Sequence, residues 1–179
     1  MEITAEGIAE IQKGSLPDEL GIEPLELSEG VARGRLIIER RHLHPFGYVH
    51  GGAWVTLADT VAAWATMRHL PPNTAFSTIE LKTNVFAAAR EGDELVATAT
   101  PLHTGRRTHV WEVRIQREDR LMAVFTCTQM ILSGEGSRIG AHIGRWCPPV
   151  NATSRVVVLI GGSCGEGGHQ PVWQSPWPC

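Results

Sequence analysis

Strand-like segments with partial alternation of apolar and polar residues make up most of this chain, with one long exception in the middle. These segments predict strands at residues 22–27, 31–40, 75–86, 94–102, 108–116 and 120–132. Residues 53–70 instead predict a single apolar helix, which ends before the Pro71-Pro72-Asn73 turn. Two strands, one long helix and a four-stranded meander predict an α+β fold in which an antiparallel sheet wraps around the central helix.

The two ends of the chain differ from this pattern. Ile3, Ile8 and Ile11 are spaced for one helix face, so we expect a helical segment over residues 1–19, ahead of a domain at 20–132. Residues 133–179 are rich in Gly and Pro, and we expect a flexible tail there. A Gly-rich stretch in that tail lacks the spacing of a phosphate-binding loop, and no predicted helix follows it.

One acidic residue, Asp59, lies in the middle of the apolar helix. Asp is a poor residue for a helix interior, and a buried carboxylate is costly unless it is paired or used. At 3.6 residues per turn, Asp59 shares a stripe with small residues, while the bulky side chains lie on the opposite face and suit packing against a sheet. The stripe consists of Gly52, Thr56, Asp59, Ala63 and Thr66, and the bulky face of Trp54, Leu57, Val61 and Trp64. The small residues favour a ligand channel or a tight seam between subunits.

The start of the helix is the second chemical feature. Gly51 and Gly52 would present backbone N–H groups at a helix N-terminus, where the helix dipole favours negative charge. Such a site suits an oxyanion or a polarised carbonyl oxygen.

Composition narrows the class of protein. The chain has 179 residues, 42% hydrophobic and 20% charged, and a net charge of −3 with no dense basic run, so nucleic acid is not an expected partner. No apolar run is long enough to span a membrane and no secretion signal is evident, so we expect a cytoplasmic protein that does not bind membranes. The four cysteines form no close pair and the eight histidines are scattered, so we expect no metal site.

Three segments carry a resemblance to a known family: HPFGYVHGGAWVTLAD, STIELKTNVFAAAREGDEL and HTGRRTHVWEVRIQRED. With the order of elements, they resemble the hotdog-fold acyl-CoA thioesterases, and within them the PaaI-like branch of the 4-hydroxybenzoyl-CoA thioesterase superfamily. The likeness covers about residues 20–132. It implies hydrolysis of an aryl-acetyl or medium-chain acyl-CoA, no cofactor, and homodimers joined edge to edge that usually assemble into homotetramers.

The resemblance also implies roles for catalytic residues. His50 and Gly51 occupy the family's His-Gly pair, and the Gly51 N–H would polarise the thioester carbonyl. Asp59 stands at the position of the catalytic acid, which acts as a general base on water or as a nucleophile through an anhydride. Thr78 aligns with a Ser or Thr that helps to position water, and His44 replaces the usual Asn or Gln.

Other positions are implied to bind substrate. Gly52 follows the His-Gly pair, and Ala63 replaces a Ser or Thr that the aromatic-specific members use. Gly105 and Arg106 match a motif that lies near the CoA phosphates, and Arg107 adds a second charge.

Each assignment has a simpler structural alternative. Asp59 could be a hydrogen-bonded carboxylate in a dimer seam, His50 a turn cap, and Thr78 an ordinary strand residue. Arg106 and Arg107 could simply be solvated. Two other functions also fit the residues: a hotdog hydratase or dehydratase that pairs His44 with Asp59, and a non-catalytic module that binds acyl-CoA.

Helix geometry adds a constraint on the active site. His50 and Asp59 are nine residues apart, or roughly 13 Å along a helix axis. One thioester carbon cannot lie within hydrogen-bonding reach of both. A two-fold dimer with antiparallel central helices would bring Gly51 of one chain towards Asp59 of the other, so we expect two shared active sites per dimer.

Overall fold

The computed structural model describes residues 3–71 and 74–132, so the predicted tail at 133–179 lies outside the described residues. The helices are α1 Ala5–Ile11, α2 Leu16–Glu19 and α3 Gly51–His69, with a 3-10 turn at Arg40–His42. The strands are β1 Ile22–Ser28, β2 Val31–Ile37, β3 Ala75–Val85, β4 Glu94–Thr104, β5 Thr108–Arg117 and β6 Arg120–Leu132.

The strands form one antiparallel sheet in the order β1-β2-β4-β5-β6-β3. The helix α3 packs on one face of this sheet, mainly against β4, β2 and β5. A helix that is apolar around most of its circumference has to be buried in this way. The predicted α+β architecture, with one long helix against an antiparallel sheet, is confirmed.

Close packing between α3 and the sheet depends on small residues beneath the helix. Gly34 on β2 pairs with Ala97 on β4, directly under the helix. A Cβ atom added at Gly34 would lie 2.6 Å from the Trp64 ring and 2.8 Å from Val61. Both helix residues are buried, as expected for the bulky face of α3. The absence of a side chain at Gly34 therefore sets how closely the helix can approach.

The strand β3 forms one edge of the sheet and is incompletely covered. Leu81 and Val85 pair with Cys127 and Ala123 of β6, whose side chains are fully buried on the helix side of the sheet. Because opposite residues of a ladder face the same side, Leu81 and Val85 also face the helix side. They are nevertheless 44% and 46% exposed, because α3 does not extend over this part of β3.

The start of α3 and the end of β2 differ from the prediction for identifiable reasons. The helix α3 begins at Gly51, two residues earlier than predicted, because His50 caps it. The second strand ends at Ile37 and not at residue 40, because the backbone N–H of Ile38 donates to the Asp93 carbonyl (2.8 Å) and the chain then enters the 3-10 turn. The N-terminal segment contains two short helices separated by a turn at residues 12–15.

Candidate active site

The Asp59 carboxylate lies half-buried in the middle of α3. The Thr78 hydroxyl on β3 donates a hydrogen bond to its Oδ1 atom over 3.0 Å. Burial raises the pKa of Asp59 and the hydrogen bond from Thr78 lowers it, with burial the larger effect. Among the described residues, no cation pairs with this carboxylate. A partly desolvated acid with one neutral donor is suited to proton transfer.

The first part of the small-residue stripe, from Gly52 to Ala63, is less buried than the opposite face of α3, whereas Thr66 at its end is fully buried. Ala63 and Thr56 are half-buried next to Asp59, whereas Leu57 and Val61 on the opposite face are fully buried. The Asp59 side chain therefore lies where a ligand or a second subunit can approach it.

The N-terminus of α3 offers one unpaired donor. His50 is the N-cap, and its Nδ1 atom accepts the backbone N–H of Gly52 over 2.9 Å. The Gly52 N–H is thus occupied, while within the described residues the Gly51 N–H has no acceptor. Gly51 is exposed, and in the described part of the chain a Cβ atom added there would meet nothing within 4 Å beyond the adjacent backbone of α3. This donor is available to an incoming carbonyl oxygen.

An open hollow lies beside the first turn of α3. It has a volume of about 340 Å³, and its walls include His44, Tyr48, Trp54 and Phe86. The Nδ1 atom of His44 accepts the Phe46 N–H over 3.1 Å, which leaves Nε2 available for a ligand. The hollow combines apolar aromatic surface with one imidazole, a combination typical of small-molecule sites.

The loop between β4 and β5 carries the predicted CoA-binding residues. Two backbone hydrogen bonds hold this loop. The Gly105 N–H donates to the Thr108 carbonyl oxygen over 2.9 Å, and the Ile131 N–H donates to the Arg107 carbonyl oxygen over 2.8 Å. The side chains of Arg106 and Arg107 are exposed. The loop thus presents two cations on a fixed backbone.

The structure gathers the predicted site residues into separate groups. Asp59 and Thr78 contact each other, and His50, Gly51 and Gly52 lie together at the helix start. Gly51 and Asp59 are eight residues apart on one continuous helix, which corresponds to about 12 Å along its axis. Within one chain, the free N–H donor and the carboxylate cannot act on the same atom.

The sequence reasoning missed three buried side chains that connect to Thr78: Gln129, Thr66 and Trp111. A signal for Gln129 was present. It follows Phe125 and Cys127 at every second position of β6, so it is a polar residue in a buried apolar register. Thr66 was placed on the Asp59 stripe, but as one of the small residues that favour a channel or a seam and not as a hydrogen-bonding group.

Across residues 3–71 and 74–132, no cluster of His, Cys, Asp and Glu side chains is arranged to hold a metal ion. In that same part of the chain, every helix is too short or too polar to cross a membrane.

The raised pKa of Asp59 predicts a pH-dependent change in stability. A folded carboxyl that binds its proton more tightly than the unfolded one loses stability as pH rises above the ordinary value of 3.8. We therefore expect Asp59→Asn, whose amide oxygen still accepts from Thr78, to melt at a higher temperature than the wild type at pH 7.5. The difference should shrink as pH falls to about 4, measured by thermal unfolding across that range.

Asp93→Asn is the matched control, for which we expect the melting temperature to change in the opposite direction. The Arg90 N–H and the Arg117 guanidinium hydrogen-bond the Asp93 carboxylate over 2.8 and 3.0 Å and hold the pKa of Asp93 below its ordinary value. Its replacement should lower the melting temperature at pH 7.5. A lower melting temperature for both variants would contradict the assignment of Asp59 as an unpaired carboxylate.

Comparison with known proteins shows the family and the fold of this chain. Residues 46–124 match the profile of the thioesterase superfamily. The 1,4-dihydroxy-2-naphthoyl-CoA hydrolase of Listeria monocytogenes is 32% identical over 114 residues, which cover 63% of this chain and 92% of the relative.

Solved structures show the same fold. A thioesterase of Haemophilus influenzae has a TM-score of 0.72 at 27% identity, covering 77% of this chain and 96% of that one. The PaaI protein of E. coli, from the phenylacetic acid degradation operon, has a TM-score of 0.65 at 25% identity, covering 71% and 91%. With its long helix and six-stranded antiparallel sheet, this chain belongs to the thioesterase superfamily of hotdog-fold thioester hydrolases.

Proposed function

We propose that this protein hydrolyses an acyl-CoA thioester to a free acid and CoA, with Asp59 as the reacting carboxylate. The observation that carries the proposal is the environment of Asp59: half-buried, hydrogen-bonded by one neutral donor, and on the side of α3 that a ligand can approach. Burial raises the pKa of this group towards the working pH, where a base is most effective.

Thioester hydrolysis needs two groups: a hydrogen-bond donor to the carbonyl oxygen, and an activated oxygen that attacks the carbonyl carbon. The Gly51 N–H suits the first role because it is exposed and unpaired within the described chain. In the general-base route, Asp59 takes a proton from water as the water oxygen bonds to the carbon. The C–S bond then breaks and the proton passes to the CoA sulfur. In the nucleophilic route, an Asp59 oxygen bonds to the carbon, CoA thiolate leaves, and water splits the anhydride.

A second copy of this chain completes the site in this proposal. The 12 Å between Gly51 and Asp59 along α3 separates the two functions in one chain, and antiparallel helices from two copies would bring them together. His50 supports the donor by capping the helix, and His44 faces the hollow where an acyl group would lie.

The two sheet edges support β3 as the seam. The strand β1 has seven residues and contains Pro24, and both features discourage edge pairing. The strand β3 has eleven residues and no proline, and its Leu81 and Val85 are half-exposed on the helix side. Pairing of two β3 strands would extend the sheet and cover these residues. We further propose that two such dimers form a tetramer, as is usual in the family.

The acyl group is proposed to be aromatic or of medium chain length. Trp54, Tyr48 and Phe86 give the hollow beside α3 an aromatic wall. The Listeria relative is named for a naphthoyl-CoA, whose acyl group is also aromatic. The exposed Arg106 and Arg107 are proposed to contact the phosphates of CoA.

Release of free thiol from a panel of acyl-CoA substrates tests the function. Thiol release from aryl-acetyl or medium-chain substrates supports the proposal. A change in enoyl absorbance without thiol release would instead indicate a hydratase or dehydratase that uses His44 with Asp59. Binding without turnover would indicate an acyl-CoA-binding module. The panel should include Asp59→Asn, which we expect to lower turnover about a hundredfold or more.

Complementation tests the shared site. Chains with Gly51→Val and chains with Asp59→Asn should each be inactive. Gly51→Val should fold because, among the described residues, the added Cβ would meet nothing within 4 Å beyond the adjacent backbone of α3. Refolding an equal mixture should give mixed dimers in half of the population, each with one intact site. Activity should then return to about a quarter of the wild-type value. Persistent inactivity, with mixed dimers demonstrated by native mass spectrometry, would contradict the shared site.

A double substitution tests the phosphate contacts. Arg106→Ala with Arg107→Ala should raise KM more than it lowers kcat, and should weaken the dependence of KM on salt, because phosphate contacts contribute mostly uniform binding. Arg120→Ala is the matched control, since Arg120 is exposed where β6 begins, at the opposite end of β5 from the arginine pair. Equal KM values for the double variant and the wild type would place the phosphates elsewhere.

A further inference from the structure

A chain of hydrogen bonds crosses the core and ends on the Asp59 carboxylate. The Trp111 Nε1–H donates to Thr66 Oγ1 over 2.7 Å, and the Thr66 hydroxyl donates to Gln129 Oε1. The Gln129 amide Nε2 donates to Thr78 Oγ1 over 3.4 Å, and the Thr78 hydroxyl donates to Asp59 Oδ1 over 3.0 Å. Trp111, Thr66 and Gln129 are fully buried. We refer to these five residues as the Asp59 donor chain.

The spacing of residues on α3 and the pairing of β3 with β6 bring these residues together. Asp59 and Thr66 are seven residues apart on α3, so they lie on the same stripe two turns apart. Thr78 and Gln129 are directly opposite each other in the ladder between β3 and β6. Two polar positions on one stripe of the helix thus face two paired polar positions on the sheet.

The chemistry of the two end groups fixes the direction of the donor chain. An indole N–H can only donate, and an ionised carboxylate can only accept. Since Thr66 accepts from Trp111, its own proton is free for the Gln129 carbonyl oxygen. Rotating the Gln129 amide by 180° would set that oxygen against Thr78, whose proton is already committed to Asp59. One arrangement therefore satisfies every group, and each proton in it points towards Asp59.

Packing alone does not require these polar groups. Gln129 occupies an inward register of β6 between Cys127 and Ile131, where a Met of similar size would fill the space. Burying an amide and a hydroxyl commits both to complete hydrogen bonding, because an unsatisfied buried group costs about 1–3 kcal/mol. The arrangement is therefore explained by what it does to the group at its end.

We propose that Gln129, Thr66 and Trp111 are positioning residues for Asp59, which hold the Thr78 proton on Oδ1 and leave Oδ2 as the reacting oxygen. The inference rests on the proposed function for the identity of the reaction. In the described part of the chain, Thr78 is the one donor to this carboxylate, so Oδ2 is free for water or for the carbonyl carbon. The donor chain thus assigns different tasks to the two oxygens of one carboxylate.

Other titratable groups near the donor chain do not replace it. They include Cys127 on β6, Glu80 on β3, His109 on β5 and His69 on α3. Burial raises the pKa of Cys127 to about 12, so its thiol is neutral across the working range. Burial also lowers the pKa of His109, which favours a neutral ring beside Trp111. Glu80 faces the opposite side of the sheet, where its carboxylate accepts from Thr128.

The test is titration of the Asp59 carboxyl by carbon NMR in the full-length protein, alongside the pH dependence of kcat. The hydrogen bond from Thr78 favours the ionised carboxyl, so weakening it should move the titration to higher pH. We expect the largest shift for Thr78→Val, a smaller one for Gln129→Met and the smallest for Trp111→Phe. Thr78→Ser, which keeps the hydroxyl, should titrate like the wild type. At a pH below the Asp59 titration, Gln129→Met should lower kcat about threefold or more, with recovery at high pH.

Two controls separate positioning from stability. Thr60→Val removes a buried hydroxyl one residue from Asp59, and Gln116→Met removes an amide on β5; neither residue belongs to the donor chain. Both should leave the titration and the pH profile unchanged. Trp111→Phe keeps an aromatic ring in the core, so it still tests the donor chain if Gln129→Met does not fold.

The outcomes distinguish this inference from the proposed function. An unchanged Asp59 titration in folded Gln129→Met or Trp111→Phe, even with a lower melting temperature, would overturn the positioning role. The expected ordered shifts in a protein that releases no thiol from any acyl-CoA would support the donor chain and overturn the thioesterase proposal instead.

Discussion

The burial of the Asp59 carboxylate against a single neutral donor is the constraint on which the site depends. A charged pair would hold this carboxylate ionised and weakly basic, whereas full burial without a donor would hold it protonated. The Thr78 hydroxyl gives an intermediate case, in which burial raises the pKa of Asp59 and one hydrogen bond opposes the rise. The fold has to supply a polar stripe on an otherwise apolar helix, and it has to bring β3 to that stripe.

The two different faces of α3 provide the polar stripe and place it near β3. Its bulky face lies on β2 and β4, where the missing side chain of Gly34 admits Trp64 and Val61. That close contact orients the small-residue stripe towards β6 and β3, away from the centre of the sheet. Because β3 is an edge strand, it pairs within the described residues with β6 alone and leaves its other edge open. In the dimer that we propose, the second copy covers this edge, and activity then depends on assembly and on protein concentration.

Much of the fold follows from local patterns in the sequence. The predicted limits of β6 match the structure, and those of β3, β4 and β5 differ by one or two residues, because alternation and turn residues mark these strands clearly. The end of β2 could not be predicted, since it depends on the hydrogen bond from Ile38 to the distant Asp93 carbonyl.

The site residues likewise include some that local sequence patterns predict and others that depend on long-range contacts. Asp59 was visible as an acid within an apolar helix, and the Gly51 donor as a glycine at a helix start. The contact between Asp59 and Thr78 follows from the pairing of β3 with β6, a long-range contact that no local pattern encodes. Gln129 was detectable only as a polar residue in a buried register, and its partners Thr66 and Trp111 come from two other elements.

The central claim is that the Gly51 N–H of one protomer and the Asp59 carboxylate of another act on one thioester. A crystal structure with an acyl-CoA analogue that has a ketone in place of the thioester would test it most directly. The account predicts the ketone oxygen about 3 Å from the Gly51 nitrogen of one protomer, with Asp59 Oδ2 of the second protomer facing the ketone carbon. An analogue bound with both groups from the same protomer, or with its ketone remote from Asp59, would contradict the account.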